Sequence, residues 1–380
     1  MIGPAVASPE DELARQADRC RAMGSPFIAN ILEAADRQLF LAPLTTAAIR
    51  SWPGDLAAAA VALRVNGALH ALARRESPPY LAALYRGEHE DFDGAVAVAL
   101  SRSDPFIADW IRHPTQTNEV ARAAAIMSAL MAAPVAQPMP FELLELGSSC
   151  GLNLNLDRYD YQLGSVCAGD PLSMVKIAPD WHGPPPPDRQ VSIAAARGVD
   201  LQPLRASDPA DRERLMSFVW ADQPTRSKRL EQALKIAMMQ QPRVDQGQAA
   251  TWLEERLAEP QPLGHCRAVV HTMVLQYLDD GERQHLSAMM AKAGDKASPD
   301  RPLIWIEFEW TPDRQTVELR LTSWPTGRSE LLATCHPYGD WLKWRGAASM
   351  GSFSDRAALF SRADEASGDF EPLWSRMANA

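Results

Sequence analysis

The chain has 380 residues, 46% of them hydrophobic, and 38 Lys and Arg against 48 Asp and Glu give a net charge of −10. That length and apolar content suffice for a substantial core, and the acidic balance has the wrong sign for counterion-driven binding to a phosphate backbone, so nucleic acid is not an expected partner. Five scattered cysteines (Cys20, Cys150, Cys167, Cys266, Cys335) form no C-x-x-C pair, which argues against a disulfide framework or a thiolate metal site.

The opening "MIGPAVASPEDELARQ" lacks the basic start and apolar run of a leader. No stretch approaches the roughly 18 uninterrupted apolar residues of a membrane span. A cytoplasmic location without a membrane partner is therefore expected. From Pro9 to about Ala133, windows such as "DLAAAAVALRVNGALHALARR" and "NEVARAAAIMSALMAA" repeat apolar residues every three or four positions. This predicts an all-helical N-terminal domain over residues 1–134. The prolines of "APVAQPMP" then break helix formation and mark a boundary near Pro134.

Residues 135–380 alternate short apolar runs with helical segments. "FELLEL", "VSIAAARGVDLQPL", "CRAVVHTMVLQYL" and "RPLIWIEFEW" contain strands, while "DRERLMSFVW", "RSKRLEQALKIAMMQ" and "DDGERQHLSAMMAKAG" are helical. Such alternation predicts an α/β fold, a Rossmann-like and mostly parallel sheet. "TVELRLTSW" and "SELLATCHPYGDWLKW" alternate with period two around "PTGR", an antiparallel hairpin that closes a sheet of seven expected strands. An insertion at about 161–190, carrying "HGPPPPD", is expected to be an ordered excursion or lid.

The first of these strands runs into Gly147, Ser148, Ser149, Cys150, Gly151. In an open parallel sheet such a turn can receive a ligand. The dinucleotide fingerprint G-x-G-x-x-G requires glycine where Ser149 stands, and a Walker loop requires a lysine that is absent between Pro134 and Met174. The remaining pattern, Glu145, Gly147 and Gly151 with Ser148 and Ser149 between, resembles motif I of class I S-adenosylmethionine-dependent methyltransferases. There the loop holds the amino acid end of the cofactor. An acid at the end of the next strand can accept hydrogen bonds from both ribose hydroxyls, and Asp200 in "RGVDLQPL" is the candidate. "RVDQGQAATWLEE" resembles the segment that meets the adenine amino group, through Gln248 or Asp245.

"TQTNEVARAA", "LLELGSSCGLNLNLDRYDY", "GDP", "RGVDLQP", "VWADQPTRSKRL", "VVHTMVLQYL" and "HPYGDWLKW" together resemble a bacterial family catalogued as a domain of unknown function and compatible with the methyltransferase fold. The resemblance covers most of the chain and brings no substrate. In "TQTNE", Thr117 or Asn118 can cap the following helix, with Glu119 favouring its positive end. Gln116, Asn118, Glu119 and Arg122 are expected to fold over the cofactor or substrate. His271, at a strand's carboxyl end, is the candidate general base for a protonated nucleophile. Gln276, Tyr277, His336 and Tyr338, the last two with Asp340, are candidate substrate or lid residues. Trp220, Asp222 and Arg226 suggest an aromatic core anchor beside an ion pair. The expected function is S-adenosylmethionine-dependent methyl transfer to a small molecule, without metal. A non-catalytic nucleotide- or metabolite-binding protein and a nicotinamide-dependent oxidoreductase are the alternatives. Nothing in the sequence fixes an oligomeric state.

Overall fold

Alanine-rich amphipathic segments become helices and apolar β-branched runs become strands in a computed structural model that describes residues 12–136, 138–346 and 349–352. Among these residues the helices are α1 (Glu12–Ala22), α2 (Pro26–Gln38), α3 (Pro43–Arg50), α4 (Val61–Arg74), α5 (Pro79–Tyr85), α6 (Phe92–Trp110), α7 (Ala123–Ala132), α8 (Pro209–Phe218), α9 (Pro224–Met239), α10 (Ala249–Ala258) and α11 (Asp280–Gly294). The strands are β1 (Phe141–Leu146), β2 (Asp160–Leu163), β3 (Val166–Gly169), β4 (Lys176–Ile177), β5 (Asp180–His182), β6 (Ile193–Asp200), β7 (Val244–Gln246), β8 (Cys266–Thr272), β9 (Leu303–Trp310), β10 (Val317–Trp324), β11 (Arg328–Cys335), β12 (Trp341–Trp344) and β13 (Ser349–Ser352).

The chain divides into two compact units. Within the described residues, one holds 12–117 and 209–231, the other the remainder. The division differs from a single cut at Pro134 in two ways. α7 belongs with the sheet, because nine of its ten residues are buried and it is apolar all round, packing on β2, β9 and β10. α8 and the start of α9 belong with the N-terminal helices. The outer ends of the two expected domains, 1–11 and 353–380, lie outside the described residues.

In the helical unit, Leu13, Ile28, Ile31, Leu69, Leu100 and Trp220 share one apolar core. Proline at the first turn of α2, α3 and α5 sets φ where no intrahelical N–H bond is needed. α3 has no capping side chain of its own. Asp104 of α6 serves it instead, accepting from the N–H groups of Leu44 and Thr45, each at 2.8 Å. His70 is buried, its Nδ1 3.1 Å from the Ser217 carbonyl, and burial pushes its pKa down to about 4. Asp222 receives the Ser25 hydroxyl at 2.5 and 2.6 Å on its two oxygens, while Arg226 donates to Gln223.

The second unit contains one ten-stranded sheet, ordered β5-β12-β11-β10-β9-β8-β1-β6-β7, with β13 also paired to β11. From β7 to β9 all neighbours run parallel, and β10, β11 and β12 follow as antiparallel neighbours. The expected parallel sheet and closing hairpin are present, with more strands than seven. The insertion supplies part of the excess. Its β2, β3 and β4 form a small separate sheet, whereas β5 pairs with β12 as the large sheet's edge. α10 and α11 cover one face through Trp252, Leu253, Leu286 and Met290, packed on Leu144, Leu146, Val269 and Trp305. The helix expected after the glycine turn is a seven-residue 3-10 helix over Leu152–Arg158, irregular at Asn155. Leu152, Leu156 and Tyr159 are buried, though Tyr159 is already extended. Asn155 donates its amide to the Gln240 carbonyl, and asparagine competes for such bonds at the expense of helix.

Candidate functional site

The strand order places a switch point at β1: β6 and β7 lie on one side of it, β8 and β9 on the other. Ligands of open α/β sheets bind outside the carboxyl ends of the strands at this position. The turn 147–151 lies there. Gly147 (φ +68°) and Gly151 (φ +74°) occupy the left-handed region, and a Cβ on Gly147 would stand 2.6 Å from Val274 Cγ2 in the segment after β8. Ser149 (φ +54°), Met273 (φ +61°), Arg314 (φ +54°) and Asn118 (φ +37°) are the non-glycine residues with positive φ among the described residues of this unit. Three of them lie within four residues of the ends of β1, β8 and β9, and backbone strain of this kind concentrates at functional sites.

Glu145 points from β1 towards the face covered by the 3-10 helix. It is 2% exposed. Its Oε1 accepts from the Asn153 amide at 2.8 Å, and its Oε2 has no hydrogen-bond partner. Burial pushes its pKa up to about 7, against the lowering effect of the Asn153 amide and the Ser148 hydroxyl and with a small upward contribution from the Asp200 charge. Asp200, 51 residues from Ser149 in the chain, reaches the same turn: Oδ2 accepts from Ser149 N at 2.8 Å and Oδ1 from Gln202 N at 2.9 Å. Ser148 is buried, its hydroxyl donating to the Glu145 carbonyl at 3.0 Å.

Of the two residues offered for adenine, Asp245 is committed elsewhere. Its Oδ2 accepts from Arg197 Nε and from the Trp252 indole, each at 2.6 Å, and these bonds outweigh the upward effect of partial burial and hold its pKa low. Gln248 precedes α10 as an exposed cap. Val244 and Gln246 of that segment border a hollow of about 110 Å³ beside Cys150, Leu204 and Arg205.

His271 cannot serve as the base in this geometry. It is fully buried, and both ring nitrogens are engaged: the Trp305 indole lies 2.9 Å from Nε2, and Glu309 Oε1 lies 2.6 Å from Nδ1. An indole N–H only donates, so Nε2 accepts and Nδ1–H donates to Glu309. The histidine positions a carboxylate. Glu309 also accepts from Val274 N at 2.7 Å on the same oxygen and lines a cleft of about 150 Å³ at the carboxyl ends of β8 and β9.

The segment Asn118–Arg122 is a strap within this unit. Asn118 Oδ1 accepts from Cys150 N at 3.2 Å and Leu152 N at 3.3 Å. Glu119 is buried and accepts from Ala121 N. Arg122 donates to the Pro337 carbonyl at 2.8 Å and lies 5.8 Å above the Phe308 ring of β9. The strap thus runs from the end of β1 to β9. The turn holding His336, Tyr338 and Asp340 meets it there, with the Gly339 Cβ position 2.8 Å from the Ala121 carbonyl carbon. His336 Nδ1 lies 3.1 Å from Asp340 and its ring packs edge-on to Tyr338 at 5.6 Å. Gln276 lines the cleft, its amide donating to the Met273 carbonyl at 3.0 Å. Tyr277 is 73% exposed beside it. Gln116 belongs to the helical unit.

The second unit is a mostly parallel α/β sheet with an acidic strand end, a glycine turn at its switch point and a neighbouring charged cleft. The chain belongs to a bacterial family described as uncharacterized proteins conserved in bacteria (DUF2332), whose match spans residues 10–344. Comparison with curated proteins and with solved structures found no match. No helix among the described residues is long and apolar enough to cross a membrane.

Proposed function

We propose that the second unit binds S-adenosylmethionine at the turn after β1 and transfers its methyl group to a small molecule in the cleft beside β8 and β9. The observation that carries this reading is the convergence of two carboxylates on one glycine turn: Glu145, buried at the end of β1, and Asp200, bonded to Ser149 N. The residues suit the donor in part. A buried carboxylate at the end of β1 suits an ammonium, and an acid at the end of β6 suits a ribose diol. The hollow beside Cys150 offers room for a base. The turn's N–H groups are already engaged: Ser149 with Asp200, Cys150 and Leu152 with Asn118. A ligand carboxylate therefore has to displace Asn118.

When bound, S-adenosylmethionine supplies an electrophilic methyl group on a sulfonium. The chain's own part is orientation and proton transfer. His271 Nδ1–H and Val274 N–H fix Oε1 of Glu309, and a proton leaving an acceptor in the cleft goes to Oε2. Calorimetry with S-adenosylmethionine, S-adenosylhomocysteine and NAD tests the reading. The first two should bind and NAD should not, with Asp200→Ala weakening binding by on the order of tenfold, the scale of a lost hydrogen bond. Binding of NAD alone, or of none of the three, would remove it.

A further inference from the structure

We infer that the cleft beside β8 and β9 binds a small zwitterion, with its cationic end on a glutamate floor and its carboxylate at an arginine rim. The floor is built by β9 and β10. Glu307 and Glu309 stand two residues apart in an otherwise apolar strand, so they share one face, and antiparallel pairing sets Glu318 opposite Glu309 and Arg320 opposite Glu307. Arg320 bonds to Glu318 through both Nε (2.8 Å) and a terminal nitrogen (2.6 Å). The floor holds three carboxylates to one guanidinium and is acidic.

The rim has the opposite sign. Arg283 of α11 and Arg314 of the turn after β9 both line the cleft. Arg283 is tied to the Leu275 carbonyl at 2.9 Å and Asp280 at 3.4 Å. Arg314 has no ion-pair partner among the described residues, and its half-buried guanidinium is close enough to Arg283 to feel its charge. Two guanidiniums lining one cleft call for a planar oxyanion, which such forks can hold with parallel hydrogen bonds. With about 150 Å³ of room, bounded also by Leu275, Trp310 and Pro312, the cleft suits a molecule of amino acid size.

Val274 joins this cleft to the glycine turn: its N–H bonds to Glu309, and its Cγ2 lies against Gly147. The zwitterion's role as methyl acceptor rests on the methyl-transfer reading, but its binding does not.

The full chain is titrated with 4-aminobutyrate, butyrate and butylamine, of similar size and differing charge, using saturation-transfer NMR and calorimetry. 4-Aminobutyrate should bind more tightly than either singly charged analogue. Arg314→Gln, on a surface turn, should weaken 4-aminobutyrate and butyrate by about tenfold or more while leaving butylamine unchanged, and Arg314→Lys should restore part of the loss. Equal binding of 4-aminobutyrate and butylamine, an Arg314→Gln variant with unaltered affinity, or no binding of any probe overturns the inference. S-Adenosylmethionine affinity is measured on the same variant. Zwitterion binding without donor binding keeps this site and removes the methyl-transfer reading, and the reverse result does the opposite.

Discussion

Glu145→Gln isolates the energetic cost of ionising a carboxylate inside β1. The group is 2% exposed, with a pKa pushed from 4.5 to about 7. Because the folded value is the higher one, the unfolded chain releases this proton first, and stability is lost as pH rises through the interval. The shift of about 2.5 units corresponds to ~3.4 kcal/mol in total, of which ~0.8 is lost by pH 5 and ~3 by pH 7. The glutamine keeps an acceptor for Asn153 and does not titrate. Other titrations cancel to first order in the difference between the two proteins. The assay is urea unfolding of both from pH 5 to pH 8, followed on the transition of the sheet unit. The variant should gain about 2.5 kcal/mol relative to the native chain across that range, superimposed on a constant offset of about 1–3 kcal/mol for the unsatisfied amide. A difference flat to within about 0.5 kcal/mol would refute the buried, proton-holding Glu145, since no other group distinguishes the two chains.

Gly147→Ala should destabilise by about 1–3 kcal/mol, because its methyl meets Val274 Cγ2 in a left-handed backbone, and Val274→Ala in the same chain should relieve the steric share in a double-mutant cycle. His271→Ala should cost about 3 kcal/mol or more in thermal unfolding, since it opens a cavity and strands the Trp305 indole N–H, and His271→Gln, which keeps an acceptor, should lose less. Asn118→Ala removes the acceptor of two N–H groups and should lower stability by about 1–3 kcal/mol in urea unfolding, while binding S-adenosylmethionine no more weakly than the native chain. A marked loss of affinity in that variant would mean that Asn118 touches the ligand.

Periodicity alone makes much of the sheet legible, because β1, β6, β8 and β9 are apolar runs bounded by turn residues and each appears where the pattern predicts it. Asp200 is legible too, since an acid closing a strand next to a glycine turn is a local feature. Long-range pairing is not. The three residues of β5 have no pattern of their own and join the sheet only because β12 offers a free edge. The grouping of 209–231 with the N-terminal helices depends on surfaces such as that of Trp220, which a linear reading places in the sheet domain. The role of His271 is not legible, because a strand-end histidine looks the same in sequence whether its nitrogens face a ligand or, as here, an indole and a carboxylate. Glu309 does have a signal in "LIWIEFEW": two acids spaced by two on a strand otherwise apolar must share one face, and burying them requires partners.

Those partners tie the site into one connected object. After β1, the N–H groups of Ser148 and Gly151 are held by the Val199 and Ser148 carbonyls, that of Ser149 by Asp200, and those of Cys150 and Leu152 by Asn118. Of these acceptors only Asn118 is a neutral side chain on a separate segment, held at φ +37°. On the methyl-donor reading, the cofactor carboxylate would make stronger, charge-assisted bonds to the same two N–H groups and release a strained residue, so exchange at Asn118 would be the least costly way to open the turn. The strap that begins there ends with Arg122 on the Pro337 carbonyl and above Phe308, on the strand that carries Glu307 and Glu309. Asn118 at the turn after β1 and Arg122 at β9 thus belong to one strap of five residues.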